Sequence, residues 1–186
     1  MGSNKPSKYV RLSDTTNIQT VLTLLTDYWR MMEPQRPQLV ISVTGGAKNF
    51  QLDGKKNEIF STGLIKAVKS TNAWILTGGC HVGVTRSVGQ AVKQGQYITK
   101  VKRKTHNCQE RDHMVRAIRC IGVVPWGYTD DRDLLVCPDP CDFANVKYKV
   151  KEAQYHQPVS LDGNHTHFLL VDDGSRNIFR GSDVLR

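Results

Sequence analysis

No stretch of this sequence approaches the roughly 20 consecutive apolar residues that carry a helix across a bilayer. No charged-then-apolar leader precedes the first periodic segment either. The piece is therefore expected to be soluble and cytosolic, with no direct membrane insertion. Acidic residues are scarce: 17 Asp and Glu stand against 26 Lys and Arg, a net charge of +9 with a pI of about 9.4. That surplus suits nucleic acid, anionic lipid or a phosphate-bearing small molecule. However, no RNP-like, zinc-finger or helix-turn-helix pattern occurs, and the densest basic run, "KVKRK" (100–104), reads as a solvated loop after a helix. Nucleic acid is not an expected partner.

Metal-ligand spacings are thin as well. Five cysteines (Cys80, Cys108, Cys120, Cys137, Cys141) are an odd set and read as reduced thiols. "CPDPC" (137–141) has no second Cys or His pair at zinc spacing, and the H-x-C of His106 and Cys108 lacks one too. No metal and no cofactor are expected. Met1-Gly2-Ser3 reads as an expression scar, leaving residues 4–186 as a single domain, long enough for one full core.

What is present is periodic. Residues 16–32 place Ile18, Val21, Leu22, Leu25, Tyr28 and Trp29 on one helical face, with Asp14 or Thr15 as N-cap and Pro34 and Pro37 as stops. An apolar strand follows at 39–44, expected to be buried on both faces. A polar loop (47–57) leads to a helix at about 57–70, with Ile59, Phe60, Leu64, Ile65 and Val68 inward. Then come a strand at 73–77, a helix at about 82–94 and a third strand at 114–125 ending on Pro125. A polar stretch at 129–165 holds one possible strand at 146–150, and "HFLLVDDG" (167–174) is a fourth. This alternation predicts an α/β fold, a Rossmann-like parallel sheet with helices on both faces.

Two of the strands stop on the same tripeptide. "LVISVTGGAKNF" (39–50) and "AWILTGGCHVGV" (73–84) both end on Thr-Gly-Gly. Parallel strands bring their carboxyl ends to one edge, where ligands bind. Glycine lets a ligand touch backbone amides, and the helix N-terminus after the second turn favours an anion. Thr44 and Thr77 add hydroxyls, and Asn49, His81 and Thr85 add donors nearby. No Gly-Lys-Ser/Thr follows, so this is not a Walker loop, nor is the spacing that of the dinucleotide fingerprint. A third strand end, "VVPWGYTDDRDLLV" (123–136), supplies Trp126 and Tyr128 as rings for a base and Arg132 as a guanidinium for phosphate. Trp126 also fits as a ring packed under its loop. The carboxylates of "VDDG" (171–174) fit ribose hydroxyls, a cation or a simple turn.

Taken together, "LVISVTGGAKNF", "WILTGGCHVGV", "IGVVPWG" and "HTHFLLVDDG" resemble the N-terminal cytosolic homology region of melastatin-type transient receptor potential channels, from about residue 8 to 186. The resemblance implies a Rossmann-like domain of the superfamily that includes the nucleotide hydrolases releasing cytokinin bases. It is nearest to the ADP-ribose-gated member, whose domain holds ADP-ribose in a cleft. It implies a regulatory ligand-binding domain without catalysis, on the cytoplasmic side of a membrane, working with other domains and subunits of a tetrameric channel. Thr44, Gly45, Gly46 and Asn49 match the family's first loop; Gly78, Gly79, His81, Gly83 and Thr85 match the second. Trp126, Tyr128 and Arg132 fall where the family closes over base and phosphates, and Arg186 fits an arginine after the last strand. Cys80 and Val82 replace small polar residues of the family pattern. The alternatives carried forward are a nucleotide N-glycosidase, for which no Pro-Gly-Gly-x-Gly-Thr segment is present, and a purely structural assembly domain.

Overall fold

Among the described residues the alternation predicted above is realised as five strands, all parallel, in the order β1-β5-β4-β3-β2. The computed structural model describes residues 6–46, 52–105, 118–137, 145–154 and 157–176. The strands are β1 (Lys8–Ser13), β2 (Val40–Ser42), β3 (Trp74–Thr77), β4 (Arg119–Pro125) and β5 (His167–Asp172). The helices are α1 (Ile18–Thr23), α2 (Gly54–Thr71) and α3 (Gly83–Thr105). Among the described residues no helix is long and apolar enough to cross a membrane.

Alternate residues of the central strands serve opposite faces, as a period of two requires. Ile75 and Cys120, paired in register, pack with Ile65 and Val68 of α2 and with Val88, Ala91 and Val92 of α3. Their neighbours Trp74 and Ile121 turn to the other face and meet Leu25 and Met31. Helical segments thus cover both sides, and the sheet is Rossmann-like.

Several local expectations are corrected. The sequence pattern offers no strand before residue 16, yet Lys8–Ser13, with Tyr9, Val10 and Leu12, forms β1 at one edge of the described sheet, parallel to β5. The strand expected to be buried on both faces is instead the opposite edge. Val40 is 54% exposed and, among the described residues, β2 pairs with β3 alone. The first helix is short. Asn17, not Asp14 or Thr15, caps it by accepting from the Gln19 amide at 2.8 Å. It widens into a π-helical turn (Leu24–Tyr28) and ends where Arg30 takes φ +51°. Only Val21, Leu25 and Trp29 of its predicted face reach the core; Ile18, Leu22 and Tyr28 stay exposed.

Helix α2 begins three residues early because Asp53 accepts from the Lys56 amide at 2.8 Å; Ile59 of its predicted face is exposed. α3 continues through 100–104, so "KVKRK" is helical rather than a loop. Residues 146–150 form no strand; Val146 and Tyr148 pack against the cluster of Trp126, Leu135, Val159 and Phe168. His106, Cys108, Cys141, Asn49, Arg186 and residues 114–117 of the expected third strand lie outside the described residues.

Candidate functional site

Because every strand is parallel, all carboxyl ends share one edge, and β2 and β3 are neighbours on it. The Val43 amide donates to the Leu76 carbonyl at 2.8 Å, carrying the pairing to the start of both glycine turns. Beyond it Thr44, Gly45 and Gly46 are exposed. A Cβ placed on Gly45 would lie 3.0 Å from Val84 Cγ1, and one on Gly78 would lie 3.7 Å from Thr85 Oγ1. Val84 and Thr85 belong to the first turn of α3, which carries no acidic residue. The two Thr-Gly-Gly turns therefore meet at one helix N-terminus, as expected for neighbouring βα units.

The second turn is less bare than its sequence implies. The Gly79 amide donates to Thr77 Oγ1 at 3.0 Å, His81 N to the Ser160 carbonyl at 2.8 Å, and Val82 N to the Cys80 carbonyl at 2.8 Å. Those three donors are satisfied internally. Gly79 has its own structural reason: φ is +70°, and an added Cβ would lie 2.8 Å from Gly122 Cα. Close backbone approach to β4, rather than to a ligand, requires glycine there. The first glycine loop faces outward, whereas in the first turn of α3 Gly83 and Thr85 are buried and Val84 and Arg86 half-buried.

Behind the second turn lies a buried polar network. Segment 159–166 folds back over it, with Asp162 N donating to the Gly79 carbonyl at 2.9 Å and Cys80 bridged antiparallel to Leu161. The Asp162 carboxylate, its side chain 0% exposed, accepts from His81 Nδ1 at 2.7 Å, His165 Nδ1 at 3.1 Å and the Asn164 amide at 3.0 Å. His165 Nε2 shares a 2.7 Å hydrogen bond with Thr77 Oγ1.

Burial works against ionisation of Asp162, but the His165 and His81 hydrogen bonds outweigh it and hold the carboxyl down at about 2. Burial likewise opposes charge on His165. The Cys120 sulfur and the Asp162 carboxylate win and raise that imidazole to about 10. Burial, then the Asp162 charge, pushes the Cys80 thiol up to about 12, so Cys80 stays protonated and inert.

The third strand end is arranged differently from its predicted use. Trp126 is 6% exposed and packs with Val124, Leu135 and Phe168, and the Arg11 guanidinium lies 4.6 Å from its ring centroid. Trp126 thus packs under its loop. Tyr128 is partly buried against the same cluster, and Arg132 Nη1 donates to the Gly127 carbonyl at 2.8 Å, clasping the loop. Asp172 is ion-paired with Arg11 and accepts from Gly174 N, while Asp173 accepts from Ser175 N at 2.9 Å. "VDDG" is a turn closed by its own carboxylates. It lines a cavity of about 470 Å³ with Arg11, Ser13 and Asp14. That cavity sits three strand steps from the glycine turns, roughly 14 Å at ordinary strand spacing. Among the described residues no group of three or more His, Cys, Asp and Glu is placed to hold a metal ion.

Sequence reading missed Asp162, His165 and Ser160. The signal was present as consecutive polar residues in "SLDGNHTH" (160–167) just before an apolar strand, but nothing local ties them to a turn 80 residues earlier.

Comparison with known proteins places this geometry in context. A family model described as "SLOG in TRPM" matches residues 7–186. The chain is 38% identical over 173 residues to transient receptor potential cation channel subfamily M member 2 of Rattus norvegicus, covering 93% of this chain and 10% of that protein. It is also 38% identical over 174 residues to subfamily M member-like 2 of Nematostella vectensis (94% and 10%). Over 170 residues it is 36% identical to subfamily M member 6 of Homo sapiens (91% and 7%). The chain thus spans about a tenth or less of the length of these relatives.

Proposed function

The chain belongs to the family described as SLOG in TRPM, and from that premise we propose that it is the ligand-sensing module of a longer cation-channel protein. It takes ADP-ribose or a related adenine nucleotide at the carboxyl edge of the sheet and so controls gating. The observation that carries this reading is the meeting of Gly45 with Val84, which brings two glycine turns to one helix start free of acidic side chains. Backbone donors and the helix dipole there suit a diphosphate. Thr44, Gly46, Gly78, Gly83, Thr85 and Asn49 surround it in sequence. Tyr128 and Arg132 lie on the loop after β4, where Arg132 Nη1 donates to the Gly127 carbonyl, and Arg186 follows the last strand in sequence. In the whole protein the module lies on the cytoplasmic side and contacts other domains and subunits of a tetramer. Binding shifts the closed–open equilibrium only by the difference in ligand affinity between the two states.

Calorimetric titration of the chain with ADP-ribose, then with a small panel of adenine nucleotides, tests this. Heat saturating at micromolar ligand supports it; no heat at high micromolar concentration sinks it. A structural assembly role is the second reading, favoured by Gly79, whose glycine serves packing against Gly122. Catalysis is not proposed. Free base or ribose phosphate released from AMP or ADP-ribose, detected by chromatography, would reverse that.

A further inference from the structure

Asp162 is a carboxylate removed from solvent, seated where α3 leaves room for it. A Cβ on Gly89 would fall on its oxygens. Burying a charge this completely is costly unless every lone pair finds a donor. Here the donors come from three directions: the Asn164 amide, the buried His165 ring and the His81 ring. His165 is locked at both nitrogens, since its other one meets Thr77 Oγ1. The Nδ1 of His81 is bound to Asp162, while its side chain keeps 16% exposure. It sits between the second glycine turn and the first residue of α3.

We infer that Asp162 is the positioning residue for His81: it pins the imidazole with Nδ1–H inward and leaves Nε2 as the ring atom offered to a ligand at the mouth of the turn. This rests on the nucleotide-binding reading above. The chemistry follows from the tautomer. A carboxylate only accepts, so the ring proton stays on Nδ1, and in the neutral ring Nε2 carries the lone pair. An acceptor beside a glycine turn takes a hydroxyl hydrogen. The group it would recognise is therefore a sugar hydroxyl next to the diphosphate, complementing donors that read only phosphate oxygens. This is the second-sphere logic seen where a carboxylate orients a ligating histidine, used here without a metal.

The two nitrogens can be separated by substitution. The side-chain amide of asparagine can occupy the Nδ1 position and donate to Asp162, but it has nothing where Nε2 was. Chain 1–186 is compared as wild type, His81→Asn and Asp162→Asn, by calorimetry with ADP-ribose and by nitrogen-15 spectra of the histidine rings. Thermal unfolding monitors the fold. The expected result is a wild-type His81 protonated on Nδ1, and a His81→Asn variant that melts like wild type yet binds about tenfold more weakly, the loss of one hydrogen bond. In Asp162→Asn the His81 ring loses its single tautomer. Should that variant fail to fold, the His81→Asn arm and the wild-type spectra still decide the matter. Neutral His81 carrying its proton on Nε2, or His81→Asn binding as tightly as wild type, overturns the inference. If the wild type binds no ADP-ribose, the nucleotide reading fails and takes the ligand half of this inference with it. The ring spectra decide the positioning half separately.

Discussion

Gly79 and Gly122 meet across β3 and β4 so closely that a side chain on either would strike the other's backbone. The contact divides the glycines of the paired turns into two kinds. Gly79 holds the sheet to the turn, whereas an added Cβ on Gly45 or Gly78 would meet the Val84 and Thr85 side chains at the start of α3.

Replacing Gly79 by alanine is expected to destabilise the fold by about 2–4 kcal/mol, combining strain at positive φ with overpacking. A urea unfolding curve with a clearly lower midpoint checks it. An unchanged midpoint would mean that the turn relaxes away from β4.

Gly45→Val and Gly78→Val act on the other kind. Gly45 sits on the exposed loop after β2, with Val84 Cγ1 at 3.0 Å from an added Cβ. Circular dichroism should stay as in the wild type, while ADP-ribose affinity falls at least about tenfold by blocking access to the amides. If affinity survives in both variants, the diphosphate lies elsewhere.

Trp126→Ala should behave as a core deletion. The ring is buried with Val124, Leu135 and Phe168, and such truncations cost about 3–5 kcal/mol. Arg132→Ala, which removes the donor to the Gly127 carbonyl, should cost about 1 kcal/mol. Comparing the two melting curves separates a core ring from a loop clasp. Equal, small losses would return Trp126 to the surface.

The Asp162 network makes stability depend on pH in acid. The folded carboxyl titrates at about 2, below the ordinary value of 3.8. Its contribution is therefore complete above pH 3.8 and lost as pH falls through 2, on the order of 2 kcal/mol. For His165 the sign reverses. Raised from 6.5 to about 10, it contributes fully below pH 6.5 and loses that contribution as pH rises through 10. The Asp162–His165 interaction enters both shifts and is counted once. Urea midpoints measured from pH 5 to pH 2 should fall more steeply for wild type than for Asp162→Asn. Parallel slopes would remove Asp162 from the account.

The strand–helix alternation and the two glycine turns were legible in the chain because they are local signals. Periods of two and 3.6, an Asp at a helix start and glycines after an apolar run act over a few residues. Their placement at one sheet edge followed as soon as the strands were parallel. Other features were not legible. "LVISV" reads as a central strand but lies at an edge, because strand order depends on which crossovers the whole chain takes. Trp126 reads as a ring for a base but is covered by Arg11, which arrives from β1. Asp162 reaches His81 across 81 residues and His165 reaches Thr77 across 88. Such contacts form only when distant segments close on each other, with an entropic cost that no short window of sequence records. Local chemistry sets where a turn and a helix begin; the packing of remote segments sets which of their groups remain open.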